Sequence, residues 1–86
     1  MAGMCESIPD IINIAATAEA LAIAALGGAL QSAADNTLAL NAEHVQFVTA
    51  ARAEEQAHFD YLTAAGAKPL TTTFTPSRSL ILPSCE

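Results

Sequence analysis

The chain has no tryptophan, one tyrosine, three phenylalanines and only three lysines or arginines among its 86 residues. Its apolar share of 52% is therefore carried mainly by alanine and scattered aliphatics. Alanine is the strongest helix former, and no run of β-branched residues competes with it before residue 68. That composition excludes disorder over most of the chain and points to close-packed helices. Scarcity of bases excludes a second class. Nine acidic residues give a formal charge of −6, and Lys68 and Arg78 fall in the C-terminal segment, leaving Arg52 as the one base of the helical part. Nucleic acid is not a partner on electrostatic grounds, whereas cations are favoured. Cys5 and Cys85 form no CxxC or Cys/His metal spacing. Free thiols, a bridge between the ends and a bridge between chains all remain open, as does the compartment. The first ten residues carry Glu6 and Asp10 but no base. They read as no secretory signal, which favours the cytoplasm.

Eighty-six residues make at most one small domain with a marginal core. Ile11 to Leu30 is interrupted only by Asn13, Thr17 and Glu19, and it is long enough to span a bilayer. Against spanning stand its Ala and Gly content, an acid at mid-membrane depth, and the lack of a flanking base to orient it. The expectation is a buried helix of a bundle, with a membrane helix as the alternative.

Ser7-Ile8-Pro9-Asp10 carries the signature of a helix start, Ser7 as N-cap, Pro9 in the first turn and Asp10 at the third position. Helix should run to about Ala34, with Gly27-Gly28 inside it as a close-contact point or a kink. Asp35-Asn36-Thr37 is a polar turn cluster that offers an N-cap to a second helix. That helix is expected from about Thr37 or Asn41 to Ala65, with Gly66 at the C′ position and Pro69 preventing resumption. Two helices of about 25–28 residues and a short connection form an antiparallel hairpin. The expected fold is thus all-α: a hairpin over residues 1–68 and an extended tail over 69–86, where Leu70 to Pro76 is β-branched and broken by proline.

Stepping by three and four along the first helix gives Ile12, Ala15 or Ala16, Glu19, Ile23, Leu26 and Leu30. The second helix gives His44, Val48, Ala51, Glu55, His58, Leu62 and Ala65. Each stripe is apolar at both ends and ionisable in its middle. Glu19 lies about 17 positions before Asn36, and Glu55 and His58 about 19 and 22 after it, so the three come roughly level. Buried carboxylates without a basic partner are costly. A cation satisfies both carboxylates and the imidazole, and that donor set suits iron, manganese or zinc. One hairpin supplies too few ligands for an enclosed dinuclear site. Two copies supply four carboxylates and two histidines, the inventory of di-metal four-helix bundles, so a homodimer or higher homo-oligomer is expected.

Two segments carry a resemblance: Asn13-Ile14-Ala15-Ala16-Thr17-Ala18-Glu19-Ala20-Leu21 and Ala53-Glu54-Glu55-Gln56-Ala57-His58-Phe59-Asp60-Tyr61-Leu62. With Gly66-Ala67-Lys68-Pro69 closing the second helix, residues 11–69 resemble the first half of the ferritin-like domain of bacterial desiccation-associated and related ferritin-like proteins. The resemblance implies half of a four-helix bundle, completed by dimerisation, with an iron or manganese pair and ferroxidase-type oxidase chemistry. It implies Glu19 as the first-helix ligand, Glu55 as the bridging ligand of the second helix and His58 as the terminal imidazole. The chain departs from that pattern by turning to an extended segment where the family continues into a third helix.

Each residue also has a plainer reading. Glu19 faces solvent if the hairpin packs on another stripe, and Glu55 with His58 then form an i, i+3 surface pair. Glu54 lies off the stripe and is expected to be solvated. Glu43 suits the start of the second helix, and His44 is read as a capping or packing residue. Phe47, Phe59 and Tyr61 are read as core or interface. The competing function is a metal-free helical-hairpin subunit of a homo-oligomeric or membrane-associated assembly.

Overall fold

The computed structural model describes residues 7–75. They form two helices, α1 (Ile8–Ala34) and α2 (Ala42–Ala64), packed side by side as an antiparallel hairpin. Moving along α1 from Glu19 to Ile23 moves the contact back along α2 from His58 to Arg52, the reversal that defines this pairing. Among the described residues there is no strand. Cys5 and Cys85 lie outside them, as does the tail from residue 76 onward.

Local chemistry sets the helix ends. The Ser7 hydroxyl accepts from the Asp10 N–H at 3.2 Å, as the sequence predicts, with Pro9 in the first turn. Asp35-Asn36-Thr37 behaves differently from expectation. It closes α1 instead of opening α2: Thr37 N–H reaches the Ser32 carbonyl at 2.9 Å and Asn36 N–H the Ala33 carbonyl at 3.2 Å. Asn36 sits at φ +63°, a left-handed conformation that asparagine tolerates better than most residues. The second helix therefore starts at the later of the two expected points. Asn41 caps it through a 2.8 Å bond from the His44 N–H, leaving α2 with 23 residues against 27 in α1. Gly66 at φ +101° then closes α2 with the same double pattern, Ala67 N–H to Leu62 and Gly66 N–H to Thr63.

The seam between the helices is built from small residues. Ala16 and Ala20 of α1 are buried, and no residue of α2 is. Gly27 is the close-contact point: a Cβ there would stand 3.0 Å from the Arg52 Nε, which donates to the Ile23 carbonyl at 3.2 Å. Gly28 has open space around it.

The segment after α2 does not trail free. Lys68 N–H donates to the Asn13 side chain at 2.7 Å and Leu70 N–H to the Thr17 hydroxyl at 2.9 Å. Ala67 is buried, and Phe74 reaches the vicinity of Leu21, Ala24 and Ala25. Residues 67–75 thus form a strap that runs along α1 in its own direction. Thr17 and Glu19 are roughly 200° apart around a helix of 3.6 residues per turn. The strap therefore lies on one side of the hairpin and Glu19 opens on the other.

Within one chain the expectation of a buried first helix is not met. Ile8, Ile11, Ile14 and Leu21 are exposed, and α1 keeps the length and hydropathy of a helix able to cross a membrane. Phe47 and Tyr61 are exposed too, so neither belongs to a core within the chain, while Phe59 is half-buried against the α1 seam.

Candidate metal centre

Three side chains that the sequence stripes single out come together: Glu19 from the middle of α1, and Glu55 and His58 from one face of α2. One ligand atom from each lies within 4.8 Å of the others. The i, i+3 spacing of Glu55 and His58 puts both on the same side of α2, and the hairpin register sets Glu19 opposite them. His58 Nδ1 stands 3.1 Å from Glu19 Oε2.

Solvent access is graded across the group. Glu19 keeps 22% of its side-chain surface exposed, Glu55 is half-buried, and the His58 side chain is 56% exposed. The full burial read from the apolar stripes is not reached within one hairpin, because the face on which the group opens has no covering element among the described residues. The imidazole lies outermost.

The electrostatics stem from carboxylates set close together. The Glu55 carboxyl is held above its ordinary value, first by a side-chain hydrogen bond with Glu19. Partial desolvation and the Glu19 charge raise it further, His58 opposes the shift, and the Glu54 charge adds a smaller push upward. Arg52 does not relieve the pair, since its guanidinium lies across α1 against the Ile23 carbonyl. Among the described residues the His58–Glu19 contact is the one side-chain to side-chain hydrogen bond between the helices.

The donor set can be weighed against a metal ion directly. Ligand atoms bound to one first-row metal at about 2.0–2.2 Å stand no farther than about 4.4 Å apart. The widest pair here needs to close by only a few tenths of an ångström. Two carboxylates and one imidazole would leave at least one coordination position open on an ion held there.

The remaining candidates sort themselves out by position. Glu54 is exposed, as expected for a residue off the stripe. Glu43 occupies the first turn of α2, and His44 contributes its backbone N–H to the Asn41 cap while its side chain is exposed. Asn13 and Thr17 have roles that composition alone does not assign: they anchor the strap. Their signal is the i, i+4 spacing of two polar residues in an otherwise apolar helix. No protein family matches the chain, and neither a curated protein nor a solved structure matches it.

Proposed function

We propose that the chain is a ferritin-like metal-binding protein whose site, Glu19, Glu55 and His58, holds iron or manganese and is completed by a second copy. The observation that carries this reading is the convergence of these three side chains from two helices, with ligand atoms within 4.8 Å and, among the described residues, no lysine or arginine paired to the carboxylates. A cation would neutralise the two carboxylates that lie close together. Two hairpins meeting on this face bring together four carboxylates and two imidazoles, enough for a di-metal centre, and cover the exposed His58. The carboxylates suit both ferrous and ferric iron, so the reaction class is oxidation of Fe(II) by oxygen or peroxide. Glu55→Ala is expected to abolish metal binding while helical content survives. Full wild-type metal stoichiometry in that variant would overturn the reading.

A second reading has one observation behind it. Glu19 already meets His58 at 3.1 Å and the group keeps contact with solvent, so its polar atoms can be satisfied without an ion. The chain is then a structural hairpin that assembles through the apolar surface of α1. Assembly indifferent to chelators and to Glu55→Gln favours this reading, and dissociation by a chelator excludes it.

A further inference from the structure

Arg52 is the one base on either helix, and its placement is built rather than incidental. Its Nε–H is committed to the Ile23 carbonyl at 3.2 Å, which lays the guanidinium flat against α1. That approach exists because residue 27 is glycine, since a Cβ there would stand 3.0 Å from Nε and 3.3 Å from Nη2. The bond to Ile23 uses one of the five N–H donors of the guanidinium. Among the described residues no carboxylate pairs with it, although the chain has nine acids against three bases.

Arg52 borders an open groove of about 300 Å³ on the strap side of the hairpin, where Arg52, Gln56 and Thr72 are all solvent-exposed. Ala20, Ile23, Ala24 and Phe59 make its apolar walls. Gln56 and Thr72 join Arg52 as the polar groups, and the Gln56 amide nitrogen is occupied by Asp60 at 3.0 Å, which leaves its oxygen available. Thr72 belongs to the strap, so the groove exists because Lys68 and Leu70 are tied to Asn13 and Thr17. A second groove of about 240 Å³, next to Leu30, shares Arg52 and Gln56. An apolar pocket with a few convergent polar groups is the usual form of a small-ligand site, and this volume lies at the small end of that range.

We propose that this groove binds a small amphiphilic carboxylate, its anionic head on the Arg52 guanidinium and a short apolar chain against Phe59 and Ile23. A carboxylate matches the planar donors of arginine in two parallel hydrogen bonds. An amine of the same length finds only the uncharged Gln56 and Thr72 oxygens to pair with and meets the positive charge of Arg52. The site uses none of Glu19, Glu55 and His58, and it is tested separately from the metal reading.

The test uses hexanoate and hexylamine as probes of the full chain, read by amide chemical shifts of Ile23, Phe59 and Thr72. Hexanoate is expected to give saturable shifts at these positions, with affinity lowered at least tenfold by Arg52→Gln and partly kept by Arg52→Lys. Hexylamine is expected to give none. Circular dichroism of Arg52→Gln establishes that the hairpin is intact, and Fe(II) binding by that variant should match the wild type. No saturable hexanoate shift, an equal affinity in a folded Arg52→Gln, or equal binding of hexylamine would each overturn the proposal.

Discussion

His58 Nδ1 meets Glu19 Oε2 at 3.1 Å across 39 positions of sequence, the one side-chain to side-chain hydrogen bond between the helices among the described residues. Everything proposed for this surface depends on that juxtaposition, because Glu55 is brought to Glu19 by the same register. If these atoms serve a metal, His58→Ala removes a ligand without touching the alanine seam. Loss of a group that merely orients a ligand typically costs about 10- to 100-fold in affinity, so loss of the ligand itself should cost at least as much. Isothermal titration with Mn(II), alongside circular dichroism, should show weakened binding on an unchanged helical background.

Stability of the metal-free protein should depend on pH through Glu55. Its carboxyl is raised in the folded state, chiefly by the hydrogen bond with Glu19. Between the ordinary glutamate value of about 4.3 and the raised one, the folded chain holds more protons than the unfolded chain. This contribution is fully present below that window and is lost as the pH rises through it. Glu55→Gln removes the titrating group, so the difference in melting temperature between wild type and variant should change across the window and flatten outside it. A constant difference from pH 4 to 7 would contradict the arrangement.

The start of α2 is open to a direct test. Asn41→Ala removes the acceptor for the His44 N–H and should cost about 1 kcal/mol, the usual size of a lost N-cap. Asp35→Ala and Thr37→Ala should not unwind α2, because both residues belong to the closure of α1. Urea unfolding of the three variants measures the contrast.

The strap should respond to a single hydroxyl. Thr17→Val keeps the shape of the side chain but removes the acceptor of the Leu70 N–H. A net loss of about 1 kcal/mol is expected, the ordinary worth of such a bond. Hydrogen exchange should show Leu70 N–H unprotected in the variant, with Lys68 N–H still partly held by Asn13.

Much of this architecture is legible in the sequence, and the gaps have physical causes. Ser7, Asn41 and Gly66 announce helix ends by side-chain and backbone chemistry that acts within four residues, so local reading finds them. Asn36 is ambiguous, because the tolerance for a left-handed backbone that closes one helix accompanies the side-chain oxygen that opens another. Glu19, Glu55 and His58 are found because an antiparallel register follows from helix rise and turn position alone. Docking of Lys68 and Leu70 on α1 is not legible, since Asn13 and Thr17 lie 55 and 53 positions away. Burial departs from expectation for a related reason. Apolar stripes say which face wants cover, and one hairpin does not contain enough chain to cover α1, which buries only Ala16 and Ala20.

Metal content and absolute mass, measured together on protein reloaded anaerobically with Fe(II), test the proposed site most directly. The expected result is about two ions per dimer, lost on mutation of Glu19 or His58. A well-folded oligomer that binds no iron would contradict it, leaving the carboxylates satisfied by solvent and His58.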